Sequence, residues 1–203
     1  MTMEPSLIFE HLLSKFGATK VVELRDRTIP PTICVQPSAV REVLHELKNN
    51  RDLAFDYLQL ISGVDYPMHF EVVYHLTSLI HQHSLAVKAQ IPRDNPVIAS
   101  IADLYPAANW HEREQFDLMG IIFEGHPDLR RILCPEDWEG HPLRKDYVQP
   151  LEYHGISNVR KCGDDWYPKP DEDAKAIVRL KAPASGSPNP AATQGSPQAK
   201  PGE

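Results

Sequence analysis

Residues Trp110–Tyr147 read WHEREQFDLMGIIFEGHPDLRRILCPEDWEGHPLRKDY. The stretch opens as a charged amphipathic helix that Gly120 is placed to terminate, and Ile121–Phe123 reads as one short strand. It then becomes an irregular run of proline, glycine, paired bases and aromatics. Pro127, Pro135, Pro142, Pro150, Pro168 and Pro170 come too often for a long helix or a central strand. That change of pattern sets the expected organisation: a compact domain over 1–124, an extended arm over 125–181 and a tail over 182–203. The tail is rich in Ala, Pro, Ser, Gly and Gln and lacks aromatics, so it is expected to stay disordered.

The residues before this stretch show regular periodicity. Leu7, Ile8, Leu12, Leu13 and Phe16 recur at helical spacing up to Gly17. Val21–Leu24 and Thr32–Gln36 read as strands. Val40, Val43, Leu44 and Leu47 mark a second helix, with Pro37 in its opening turn and Asn49-Asn50 at its end. Three strand patterns follow, over Phe55–Val64, Phe70–Leu76 and Ser84–Ile91, the last two joined at hairpin length through Thr77–His83. Val97–Leu104 reads as a helix opened by Asn95-Pro96, and Asn109 as the cap of the next one. The expected fold is α+β: a mixed, mostly antiparallel sheet with helices on one face, followed by an extended C-terminal arm and a disordered tail.

Bulk properties exclude several function classes. The 203 residues carry a net charge of -7, the wrong sign for general nucleic-acid binding or a polybasic membrane anchor. No apolar run is long enough to span a bilayer. Met1–Pro5 has neither a signal-peptide nor a transit-peptide character, so a mature start in a cytoplasm is expected. Cys34, Cys134 and Cys162 are odd in number and lack CxxC spacing, which fits reduced thiols.

Candidate chemistry is sparse. Glu112, Glu114 and Asp117 could supply paired carboxylates, but such pairs need an enclosing pocket and a nucleophile or leaving-group handle, and neither is evident. Arg113 and Asp117 lie i,i+4, so an ion pair along one helix face accounts for them. His111-Glu112 is followed by Gln115 where a zinc HExxH motif needs histidine. Glu42 and His45 form a single Glu-x-x-His where a di-iron bundle needs two. His75, His81 and His83 surround a hairpin, where exposed imidazoles are common. Gly120, Gly125 and Gly140 match no phosphate loop, and their simpler role is to allow positive φ.

The basic pairs Arg130-Arg131 and Arg144-Lys145 interleave with Leu129, Ile132, Leu133, Trp138 and Leu143. Apolar surface of that extent needs something to pack against, and arginine with tryptophan suits an interface anchor. Residues 125–153 therefore read as an arm ordered on another protein.

Glu112-Arg113-Glu114, Asp117 through Gly120-Ile121, Gly125-His126-Pro127-Asp128-Leu129-Arg130-Arg131-Ile132-Leu133 and Gly140-His141-Pro142-Leu143-Arg144-Lys145-Asp146-Tyr147 together resemble the signature of one family. It is the 30 kDa subunit of respiratory complex I, the C subunit of bacterial NADH-quinone oxidoreductase, and the likeness covers about residues 6–150. The resemblance implies a peripheral-arm subunit on the cytoplasmic side of the cell membrane that binds no cofactor of its own. The complex uses FMN, Fe-S clusters, NADH and quinone, and pumps protons. Its implied partner is the large hydrogenase-like subunit forming the quinone pocket, with the arm wrapped around it. Related domains serve energy-converting hydrogenases and ferredoxin-driven quinone reductases. Val148, where many relatives have proline, and the variant Pro135-Glu136-Asp137-Trp138 leave electron donor and quinone type open.

Overall fold

The computed structural model of the chain describes residues 4–158. The first helix, α1 (Pro5–Phe16), starts with proline at its first turn and stops at Gly17 (φ 80°). Strands β1 (Val21–Arg25) and β2 (Thr32–Val35) form an antiparallel pair. A single 3-10 turn over Pro37–Ala39 leads into α2 (Val40–Asn49), so Pro37 opens the helix through that turn. Strands β3 (Tyr57–Asp65), β4 (His69–Ser78) and β5 (His83–Pro92) then run as an antiparallel meander.

The sheet order is β1-β2-β5-β4-β3, and β2–β5 is its one parallel pair. Every second residue of the strands turns to one face, including Ile33, Val35, Phe70, Val72, Leu76, Leu85, Val87 and Ile91. These meet Ile8 and Leu12 of α1 and Val43, Leu44 and Leu47 of α2 in one core cluster. Each fully buried aliphatic side chain contributes about 1.5–3 kcal/mol.

The expected helix over 97–104 is not formed. Val97–Ala99 is instead a strand, β6, paired in parallel with β7 (Ile122–Glu124). The partner strand lies on the far side of α3 (Ala108–Met119), and a reading confined to a local window cannot see it. The turn after β6 is held by Arg41, whose guanidinium donates to Ser100 O (2.9 Å) and to both Asp103 oxygens. Asn109 is not a cap: Ala107 is the N-cap, and Asn109 sits inside the first turn.

α3 positions the candidate site, and its sequence gives little warning of this. It buries Glu112, Arg113, Gln115 and Asp117. The Gln115 carboxamide accepts from Gly63 N–H (2.9 Å) and donates to Ile61 O (3.3 Å). Those are the two bonds that one residue of a parallel neighbouring strand would make around Ser62. A side chain thus completes the edge of β3, and Gly63 must stay bare because a Cβ there would lie 2.6 Å from Gln115 Oε1.

Among the described residues, 4–150 form one compact unit and 151–158 belong to a second. Within the second unit, Glu152–Tyr153 and Ile156–Ser157 pair as a small hairpin. His154 (φ 51°) and Gly155 (φ 77°) take the positive φ values that a two-residue I′ turn needs. The proposed tail, the later arm from 159, Cys162, Trp166 and Tyr167 lie outside the described residues.

Gln115→Leu should lower the unfolding free energy by roughly 2–4 kcal/mol, because it orphans a buried N–H and a buried C=O together. Chemical denaturation of the chain checks this, and Gly63→Ala should lower stability in the same direction by pushing the carboxamide away.

Candidate functional site

The family-like residues cluster where the polypeptide after β7 folds back along α3. The helix ends at Gly120, in the left-handed region (φ 72°), whose N–H donates to Phe116 O (3.0 Å). Four carbonyls then remain without an intrahelical donor, as at any helix C-terminus. The arm supplies all of them. His141 Nδ1 donates to Asp117 O (2.9 Å) and Leu143 N–H to Leu118 O (3.0 Å). Arg144 Nε donates to Met119 O (2.7 Å), and its Nη2 to Gly120 O (3.5 Å). The cation also sits favourably at the negative end of the helix dipole. At Gly120 a Cβ would meet His141 Nε2 at 2.5 Å, so only glycine admits this cap.

Asp117 organises the other half of the arm. Its Oδ2 accepts three successive backbone N–H groups, from Ile132 (3.1 Å), Leu133 (2.7 Å) and Cys134 (2.8 Å). Its Oδ1 pairs with Arg131 Nη1 (3.2 Å), and Arg131 Nη2 reaches on to Gly140 O (3.1 Å). Burial alone would push the carboxyl up. The N–H groups of Cys134, Leu133 and Ile132 outweigh that and hold it below its ordinary 3.8. The expected Arg113–Asp117 ion pair is replaced: Arg113 donates to the carbonyls of Arg130 (3.3 Å) and Arg131 (3.4 Å) and lies 5.1 Å over Trp110. Both side chains point to the arm because its backbone offers complementary groups that helical geometry alone does not.

A third anchor lies at the end of the sheet. Buried Asp65 pairs with Arg93 and accepts Lys145 N–H (2.8 Å), while Arg93 also holds Asp146 (2.8 Å). Arg93 and Arg144 stand 5.0 and 5.2 Å from the Phe70 ring.

The remaining predicted residues sort by position. Leu129 packs on the core and Tyr147 lies over Gly140 (φ 78°). Asp128 and Arg130 pair with each other at the surface (2.9 Å). Trp138 and Pro142 are half-buried, and Pro127 is exposed at the rim of a shallow cleft. Glu114 is half-exposed, 3.9 Å from His111 Nδ1. Glu112 is buried among Ser100, Ile101 and His126.

The three helix carboxylates meet different groups: Glu112 the Ser100–Ile101 turn, Glu114 His111, and Asp117 the arm. Among the described residues, no group of three or more His, Cys, Asp or Glu side chains is placed to hold a metal ion. Glu42 is engaged by Lys20 (2.5 Å). His83 departs from expectation: it is buried, donates towards Leu53 O (3.0 Å) and packs against Phe55. Gln115, Ser100, Asp65 and Arg93 carry no signal in the sequence, because each acts on a group distant along the chain.

The arm over 125–147 therefore takes its shape on the chain's own helix, contrary to the expectation that only a neighbour would order it. Arg144 and Arg131 face inward as structural clamps.

Comparison with known proteins bears on this site. The family described as "Respiratory-chain NADH dehydrogenase, 30 Kd subunit" matches residues 33–153, which include the helix and the clamped arm. The chain is 42% identical over 153 residues to the NADH-quinone oxidoreductase C subunit of Chloroherpeton thalassium, covering 74% of this chain but 63% of that longer protein. It is 50% identical over 151 residues to the NADH-quinone oxidoreductase C subunit of Chlorobium phaeobacteroides, covering 73% of this chain and 91% of that one. Among solved structures, a trypsin-resistant fragment (1-134) of Nqo5 superposes with TM-score 0.53 at 28% identity, covering 63% of this chain and all of the fragment. A chain of the membrane-bound sulfane sulfur reductase, an archaeal respiratory membrane complex, superposes with TM-score 0.60 at 28% identity, covering 72% of this chain and 86% of that one.

Two outcomes test the clamp. Arg144→Ala should destabilise the isolated chain by about 1–3 kcal/mol, read by denaturant unfolding, because buried helix carbonyls lose a charged donor. Asp117 gives stability that is complete above its unfolded value of about 3.8 and is lost as pH falls through its lower folded value. The stability gap between wild type and Asp117→Asn should accordingly shrink in acid and stay constant above about pH 5.

Proposed function

The chain belongs to the family of 30 kDa subunits of respiratory-chain NADH dehydrogenases, and on that footing we propose that it is the C subunit of a proton-pumping NADH:quinone oxidoreductase. Its role there is scaffolding. It seats the quinone-binding module through the outer side of its arm, while flavin and Fe-S clusters of other subunits carry electrons from NADH to quinone. The chain itself binds no cofactor and has no turnover of its own. Its place is peripheral, on the cytoplasmic side of the cell membrane. No helix among the described residues is long and apolar enough to cross a bilayer.

One observation carries this reading: the arm is clamped to α3 on its inner side and still leaves large aliphatic side chains in solvent. Leu133, Leu143 and Val148 are 63%, 57% and 85% exposed, although the backbone N–H groups of Leu133 and Leu143 are tied to α3. An apolar ridge held in one shape before binding loses little conformational entropy on docking, which is how interface anchors gain affinity. The partner proposed for that ridge is the large, hydrogenase-like quinone-pocket subunit. The likeness to a chain of the sulfane sulfur reductase supports a wider superfamily of respiratory membrane complexes. Identities of 42% and 50% to NADH-quinone oxidoreductase proteins favour NADH as the donor here.

Tagged full-length chain recovered from its native membranes should bring down the other subunits of an NADH:quinone oxidoreductase. Leu133→Asp combined with Leu143→Asp should weaken that capture roughly thirtyfold or more, matching a loss above about 2 kcal/mol, while the isolated chain melts as before. Normal assembly of the double variant would refute the ridge as the docking side. Flavin, iron or turnover found in the lone purified chain would refute the scaffold role.

A further inference from the structure

The sheet has a second face, away from the core. Ile61 of β3 pairs with Tyr74 of β4 on the core side, so Leu60, Ser62 and Val64 point the other way, opposite His75, Val73 and Glu71. No helix among the described residues covers that side, because Leu12 of α1, Leu44 of α2 and Met119 of α3 all belong to the core cluster. The charges on its middle strands are taken up by one another: Glu71 meets Lys88 (2.9 Å) and Gln90 (3.1 Å). Along the β3 side the surface is apolar instead. Leu60 and Tyr66 are exposed there, and Met68, in the β3–β4 turn, is 82% exposed. Gln115 already holds Ile61 O and Gly63 N–H at the edge of β3. A partner therefore meets this stripe through side chains rather than as an added strand.

The stripe begins where the arm is anchored. Asp65 accepts Lys145 N–H (2.8 Å), and Lys145 Nζ stands 5.7 Å over the ring of the next residue, Tyr66. The other side of that ring stacks on His69 (4.8 Å, 15°), and Tyr66 O accepts from Arg93 (3.0 Å). An aromatic ring fixed in this way loses little freedom on docking. Lys145 lies between Leu143 and Val148, so the exposed aliphatics of the arm stand within three residues of a group that touches Tyr66. Among the described residues the Lys145 ammonium is in no ion pair, although it is held in one place over the ring.

Size points the same way. A stable interface takes about 20–30 residues from each side, and three exposed aliphatics of the arm fall well short of that. On the reading of the arm as a docking ridge, on which this rests, we propose that the chain seated on the arm also covers the stripe of Leu60, Tyr66 and Met68. It offers an apolar surface to these residues and a carboxylate to Lys145. Arm and outer sheet face are then two parts of one docking surface, joined at Tyr66.

The wild-type protein tests this without any variant. Peroxide should oxidise Met68 readily in the isolated full chain and at least about tenfold more slowly in the assembly recovered from native membranes, read by mass spectrometry. Equal rates overturn the proposal. Leu60→Asp combined with Met68→Asp should lower capture of the assembly by about tenfold or more, as should Lys145→Glu, while Lys145→Arg captures normally and the isolated chains melt as wild type. Leu79→Asp combined with Ile80→Asp, at the opposite end of β4, should also capture normally, and an equal loss there overturns the proposal. Capture kept by the Leu60/Met68 variant but lost by Leu133→Asp with Leu143→Asp overturns this inference and leaves the arm ridge standing. The converse overturns the ridge, and with it the shared surface.

Discussion

A helix that buries polar side chains needs a partner for every one of them, and that requirement organises this molecule. α3 turns Glu112, Arg113, Gln115 and Asp117 into the interior. An unsatisfied buried donor or acceptor costs about 1–3 kcal/mol, and more for a charge, so four such residues could erase the margin of a domain of this size. Each is answered by a different segment: Gln115 by the edge of β3, Glu112 by the turn after β6, and Arg113 and Asp117 by the arm. Satisfying the helix thus assembles the fold around it.

The same requirement gives the arm two sides. Its inner side consists of backbone groups and long cations that close the end of α3, with Asp117 gathering three N–H groups and Arg144 covering the last carbonyls. The side chains of Leu133, Leu143 and Val148 meanwhile stay in solvent. A segment without regular structure becomes a shaped surface because hydrogen bonding to a helix end replaces hydrogen bonding within a strand. In a membrane complex, such a surface would meet its partner already formed.

Legibility from sequence follows the range of the interactions. α1, α2 and the β3–β5 meander are evident because apolar periodicity is a local pattern that survives into the core. The Gly120 terminus is equally readable, since a left-handed residue after a helix requires nothing distant. β6 escapes a local reading because Val97–Ala99 becomes a strand only through pairing with Ile122–Glu124 across the whole of α3. Helical spacing suggests an Arg113–Asp117 pair, but backbone groups 15 to 18 residues away offer both side chains better geometry. His83 has the sequence setting of a surface imidazole, because hairpin position says nothing about the loop from Arg51 to Phe55 that folds over it.

Taken alone, the order of residues determined the class of fold, the C-terminal ends of its main helices and the family signature. These depend on composition, short-range periodicity and fixed spacing. Tertiary structure alone decided which way the charged residues of 110–147 would face. Their inward orientation is set by backbone donors and acceptors that come within reach only after the chain has folded back on α3.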